Sequence, residues 1–157
     1  VAQADADGAQ LPFPVIEWVY EVTRGRTRLG RKETQMIGYV TLGTNDLARA
    51  TRFYDALAAE LGVGRMMESD TFIAWGKPGG GAGVGLTSPF DGKPATVGNG
   101  VMVALEASDR VQVGKLHEIA LANGGSDEGA PGERSPGFYA AYFRDPDGNK
   151  LNAFIME

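Results

Sequence analysis

The stretch Met36–Gly62, MIGYVTLGTNDLARATRFYDALAAELG, decides the fold because the chain repeats its pattern 63 residues later. An ungapped shift of that length sets Tyr39 on Met102, Asp46 on Asp109, Phe53 on Leu116, Leu57 on Ala120 and Gly62 on Gly125. Each copy opens with alternating residues, Gly38 to Leu42 and Val101 to Leu105, as a strand with two different faces requires. Each then changes period. Leu47, Ala50, Phe53, Tyr54, Leu57 and Leu61 form an apolar helical stripe, entered through the capping candidates Thr44 and Asn45 and closed by Gly62. Val113, Leu116, Ala120 and Leu121 repeat the stripe, entered through Ser108 and Asp109 and stopped by Asn123-Gly124-Gly125.

Further short strands follow each helix. Arg65 to Glu68 and Thr71 to Trp75 predict a hairpin turning at Ser69-Asp70, and Gly83 to Thr87 predicts the next strand. The glycines at 79–81 have no Lys-Ser/Thr and no helix after them, so they mark a turn and not a phosphate loop. In the second copy Phe138 to Arg144 and Lys150 to Ile155 flank the turn Asp145-Pro146-Asp147-Gly148-Asn149. Its glycine comes too early for a calcium loop and no distal glutamate follows, so a tight hairpin explains it. Gly129 to Gly137, with Pro131 and Pro136, predicts a loop long enough to lie over a cavity. The organisation is strand, helix and about three strands, twice: module one at 36–88, a linker at 89–98 and module two at 99–157.

Residues 1–35 stand outside the repeat. Pro14, Val15, Trp18, Val19 and Val22 have helical spacing but also fit a strand, and Arg24, Arg26, Arg28, Arg31 and Lys32 form a basic cluster without interleaved aromatics. The segment reads as an N-terminal extension, either a leader or an arm that packs Phe13 and Trp18 on the domain or a partner subunit.

The 157 residues, 43% of them hydrophobic, suffice for one domain or two small halves sharing a core. The net charge of −5 falls entirely on residues 36–157, which hold 10 Lys and Arg against 15 Asp and Glu. Such a surface repels a phosphate backbone, which argues against a nucleic-acid partner. Cysteine is absent, excluding disulfides, thiolate metal sites and thiol nucleophiles. No apolar run approaches the ~18 residues that span a membrane, and the expected location is cytoplasmic.

Residues 36–157 resemble the vicinal oxygen chelate superfamily, which includes glyoxalases, extradiol dioxygenases and the bleomycin- and fosfomycin-resistance proteins. The resemblance rests on the duplicated strand-helix unit, Asp46 to Ala50, Phe53-Tyr54, Leu61-Gly62, Gly124-Gly125 and Phe143 to Asn149. It implies an α+β fold in which two paired βαβββ modules form a cup-shaped mixed sheet with helices outside and the ligand inside. It also implies a homodimer.

Relatives hold a divalent metal in the cup through His or Gln on the first strand of each module and Glu on the last strands. The matching positions here are Tyr39, Met102 and Asn152, and Gly83 to Thr87 contains no acid. A phenol, a thioether and an amide are poor donors for such a metal, so the expectation is no metal cofactor, with a divalent metal as the alternative. His117, the single histidine, is expected between helix and sheet, outside the cup.

Strand parity then puts Tyr39, Thr41, Met102, Ala104, Glu106, Asn152 and Phe154 toward the ligand. Either Tyr139 with Phe143 or Phe138 with Tyr142 joins them according to register, and the first pair is adopted. Apolar walls with a few hydroxyl and amide groups suit a small hydrophobic or amphipathic organic molecule. The expected function is metal-independent binding or sequestration of such a molecule. The alternative is a glyoxalase-, dioxygenase- or lyase-type enzyme, using a metal, or Tyr39 or Glu106 as acid or base; a phenol in that role needs a cationic neighbour, and none is evident on its strand.

Overall fold

The computed structural model describes residues 36–157. The Pro14–Val22 run, the basic cluster at 24–32 and the role of the N-terminal extension lie outside the described residues.

Module one runs β1 (Tyr39–Gly43), α1 (Leu47–Glu60), β2 (Gly64–Glu68), β3 (Phe72–Gly76) and β4 (Gly83–Thr87). Module two runs β5 (Val103–Glu106), α2 (Arg110–Ala122), β6 (Ser126–Ser135), β7 (Phe138–Arg144) and β8 (Lys150–Met156). The strands form two four-stranded mixed sheets, ordered β1-β4-β3-β2 and β5-β8-β7-β6, with each module's first strand parallel to its last. This is the α+β pattern of paired βαβββ units that the repeat predicts.

The repeat reaches down to the caps. Asp46 and Asp109, equivalent under the 63-residue shift, are the two N-caps and accept from the backbone N–H of Arg49 (2.9 Å) and Gln112 (2.7 Å). Thr44, expected as a cap, instead accepts from the Asp46 N–H at 3.1 Å and fixes the approach to the helix. Gly62 (φ 67°) and Gly124 (φ 91°) end the helices in the left-handed region that glycine enters without strain.

One core serves both modules. Ala50, Phe53, Tyr54 and Leu57 of α1 and Val113, Leu116 and Ala120 of α2 pack with Leu42, Trp75 and Leu86 of the first sheet and Phe143, Leu151 and Ala153 of the second. Phe53 lies 6.4 Å from Phe143, so the helix of module one reaches the sheet of module two. His117 is buried beside Phe143, its Nε2 2.8 Å from Asp127 Oδ1, between helix and sheet as its position in the stripe predicts.

The turn at 145–149 does more than reverse the chain. Asp145 Oδ2 accepts from the Tyr54 hydroxyl (2.9 Å) and from Asn149 Nδ2 (2.8 Å), while its Oδ1 accepts from the N–H groups of Asp147 and Asn149. Asp147 accepts from the Thr44 hydroxyl (2.7 Å), the Asn45 N–H (3.0 Å) and Arg49 (2.9 Å). Asp147 is thus satisfied by module one and Asp145 by its own turn together with Tyr54 of module one, forming a clasp. Burial pushes the Tyr54 hydroxyl well above its ordinary pKa, and the charge of Asp145 adds to the effect.

The predicted loop at 129–137 is mostly strand. β6 pairs with β7 through three register shifts, between Asp127 and Gly129, Gly129 and Gly132, and Glu133 and Ser135. Its prolines and glycines suggest a loop, yet β6 is an edge strand, where bulges and proline are tolerated.

Candidate binding site

Each sheet turns one face to the shared core and leaves the other open. On β1 Leu42 and Val40 face the core, so Tyr39 and Thr41 take the open face. The same face of β4 is bare backbone: Gly83 lies opposite Tyr39 and Gly85 opposite Thr41. Side chains from elsewhere cover these glycines. A methyl at Gly85 would come within 2.7 Å of Phe72, and one at Gly83 within 2.6 Å of Met66. Tyr39 meets Phe72 edge to face at 6.2 Å.

On the second sheet Ala104, Asn152 and Tyr142 lie in one row, and Glu106, Phe154 and Ala140 in the next. Phe138 packs on Phe154 at 5.9 Å. Arg134 and Lys150 lie over the Tyr142 ring at 5.3 and 5.6 Å. Lys150 and Arg144 bind Glu128 at 2.9 and 2.5 Å and hold its carboxyl below the usual range.

Tyr139 and Phe143 are therefore misplaced in the sequence reading, and Phe138 and Tyr142 belong on the open face instead. The register decides it: Phe143 opposes Leu151 and Tyr139 opposes Ile155, both on the core side. Phe143 is 0% exposed, and Tyr139 lies beneath the Arg110 guanidinium at 4.9 Å. Phe72 and Met66 were missed altogether. The signal available for them was the glycine pair on β4, whose empty face needs covering by neighbours.

The structure keeps Tyr39 and Thr41 on one sheet and Met102, Ala104, Glu106, Asn152 and Phe154 on or beside the other. The edge strands β1 and β5 are not hydrogen-bonded to each other. Tyr39 and Met102 are 42% and 43% exposed. A cavity of about 660 Å³ runs along β5, lined among others by Val40, Val84, Leu57, Leu61, Met102 and Glu106. Ala104 also lines it, whereas Tyr39, Thr41, Asn152 and Phe154 lie outside it.

The metal of the related enzymes does not fit this donor set. Among the described residues no three His, Cys, Asp or Glu side chains stand together to hold an ion. The equivalent positions offer Tyr39, Met102 and Asn152, of which only the phenol could supply an anionic donor.

The chain belongs to the Glyoxalase/Bleomycin resistance protein/Dioxygenase superfamily, whose model matches residues 36–153. A glyoxalase/bleomycin resistance protein from Albidiferax ferrireducens is 39% identical, with a TM-score of 0.70 over 76% of this chain and 98% of its own. More distant structures share the fold. A glyoxalase/bleomycin resistance protein/dioxygenase family enzyme from Burkholderia phytofirmans is 19% identical, with a TM-score of 0.62 over 76% and 98% of the two chains. A lactoylglutathione lyase from Agrobacterium tumefaciens is 20% identical, with a TM-score of 0.56 over 78% and 95%. No curated protein compared with the chain matches it. Among the described residues no helix is long and apolar enough to cross a membrane.

Proposed function

We infer that the chain binds a small hydrophobic or amphipathic organic molecule without a metal ion, and does so as a homodimer. The observation that carries this reading is the chemistry of the family's ligand positions, which here hold Tyr39, Met102 and Asn152 on open faces walled by Phe72, Phe138, Tyr142 and Phe154. Such walls favour an apolar body and supply a few groups that orient it. Dimerisation follows from the split site, because a second copy set against the edges of β1 and β5 would bring the two groups of residues to one ligand. The acidic charge balance disfavours nucleic acid as partner, and a cytoplasmic setting is the default for such a chain.

A second reading, acid-base catalysis, is favoured by one feature: the Glu106 carboxylate lines the cavity. Elemental analysis of the purified chain, thermal shift with zinc, nickel, manganese and ferrous iron, and native mass measurement test the main reading. No co-purifying metal, no shift with any of the four and a dimeric mass are expected. A stoichiometric metal or a shift of several degrees would overturn it.

A further inference from the structure

The cavity beside β5 has one wall made of strand edge. Met102 and all four residues of β5, Val103 to Glu106, line it in unbroken succession. Side chains of a strand alternate between its two faces, so consecutive residues share one space only along the strand's edge. β8 takes one edge of β5, and the cavity lies against the other. A single contact sets which backbone groups face it. The Ala107 N–H donates to the Phe154 carbonyl at 2.8 Å, so the backbone groups of Val103 and Leu105 also turn to β8, and those of Ala104 and Glu106 turn to the cavity. Among the described residues nothing bonds to the N–H or C=O of Ala104.

The opposite wall is aliphatic, built from Val40 and Val84 of the first sheet and Leu57 and Leu61 of α1. Tyr54 and Trp75 also reach it, with their polar atoms committed to Asp145 and Asp55. The polar groups left on the lining are the β5 backbone, Glu106 and Lys77, and neither side chain forms an ion pair among the described residues. An open strand edge beside an apolar pocket holds an extended peptide: main-chain bonds give affinity and alternate side chains fill the pocket. A volume of about 660 Å³ suits a peptide of a few residues.

An antiparallel partner residue opposite Ala104 exchanges both hydrogen bonds with it and turns its side chain to the open face. Its two neighbours then turn theirs, with Val103 and Leu105, toward the aliphatic wall. Chain direction sets the peptide's amino end beside Glu106, ammonium against carboxylate, and Lys77 is the cation on the lining for its carboxyl end.

We propose that this edge binds a short apolar peptide with a free amino end as an added antiparallel strand. The site goes beyond the binding reading above, since Tyr39, Thr41, Asn152 and Phe154 of the open faces lie outside the cavity. A second copy of the chain on the same edge would exclude the peptide, and the experiment separates the two.

The tripeptide Leu-Ala-Leu, its analogue N-methylated at alanine and its N-acetylated form are titrated into the isotopically labelled full chain and followed by amide NMR shifts, with native mass measurement of the same samples. Leu-Ala-Leu should shift the Ala104 and Glu106 amides. The N-methyl analogue lacks the central donor and should bind at least roughly fivefold more weakly, and the acetylated form, without its ammonium, roughly two- to threefold more weakly. Ala104→Pro removes the cavity-facing N–H without breaking a sheet bond, which an edge strand tolerates, and should weaken Leu-Ala-Leu by roughly fivefold or more. Equal binding of Leu-Ala-Leu and either analogue by the unmodified chain would overturn the proposal. So would the absence of a shift on β5: with a dimeric mass it would assign the edge to the second copy, and with a monomeric mass it would overturn the homodimer as well.

Discussion

Replacing Tyr54 by phenylalanine removes one hydroxyl from the buried clasp and should reveal itself by how its cost depends on pH. At neutral pH the change deletes a 2.9 Å hydrogen bond to Asp145, whose Oδ2 keeps its bond from Asn149 and is not orphaned. Loss of a hydrogen bond to a charged group costs about 1.5–3 kcal/mol. The stack of the ring on Trp75 at 5.4 Å survives the substitution. In the folded chain the Tyr54 pKa is raised well above normal by burial, so its proton stays on when the unfolded chain begins to lose it near ~10. A raised folded pKa gives stability that is complete below the unfolded value and declines as pH rises past it. One pH unit above ~10, ionisation in the unfolded chain stabilises that state by about 1.4 kcal/mol in the parent and not in the variant. Urea unfolding of both proteins, followed by far-ultraviolet circular dichroism at pH 8 and 11, should therefore show the gap narrowing by about that amount. The other tyrosines cancel in the comparison. A gap of equal size at both pH values would mean that Tyr54 ionises in the folded protein as freely as in the unfolded one, and would refute the buried pairing with Asp145.

Phe53→Ala, at a side chain with no exposed surface between α1 and Phe143, should cost about 3–5 kcal/mol in urea unfolding; a near-neutral result would contradict the shared core. Met102→Arg should leave the melting temperature within about 2 °C, because Met102 is partly exposed, and should weaken binding of an apolar fluorescent dye at least ~10-fold, since an unpaired cation is poorly tolerated on an apolar wall. Unchanged dye affinity would place the pocket elsewhere. Asp127→Asn should narrow its stability gap from the parent as pH falls from 6 to below about 3. His117 holds the Asp127 carboxyl below its ordinary range, so that contribution exists above ~3.9 and disappears on acidification through the lowered value. Parallel acid-unfolding curves for the two proteins would show that the pair contributes nothing.

The repeat made most of the fold legible because a 63-residue ungapped shift aligns both N-caps and both helical stripes, with the terminating glycines Gly62 and Gly124 one position out of step. What it could not supply was the register of β7. Phe138, Tyr139, Tyr142 and Phe143 are all aromatic, and either alternate pair satisfies a two-faced strand, so only pairing with β8 separates them. β6 was hidden for a different reason. Its glycines and prolines are the usual marks of a loop, and its bulged pairing with β7 is a tertiary decision. The clasp was legible in its turn geometry but not in its partners, since the hydrogen bonds from Thr44 to Asp147 and from Tyr54 to Asp145 cross 103 and 91 residues of sequence. Parity groups Tyr39 with Thr41 and Met102 with Ala104 on one strand face each, the resemblance chose those faces, and Phe72 and Met66 enter the open face only through the glycines of β4.

The clasp also bears on how the chain can be cut. Asp145 and Asp147 find their donors on Tyr54, Thr44, Asn45 and Arg49, and Asn149 donates to the Gly43 carbonyl at 3.0 Å. A fragment ending in the 89–98 linker would lack these acceptors, and in its complement Asp147 would lose its Thr44, Asn45 and Arg49 donors while Asp145 would lose that of Tyr54 and keep those of its own turn. Neither half is equipped to stand alone, although each has a complete βαβββ topology. A nick in the linker of the assembled protein leaves every one of these bonds in place, so the two pieces should stay together as a complex held by Asp145 and Asp147. Duplication gave the chain two similar halves, and the clasp has made them obligate partners.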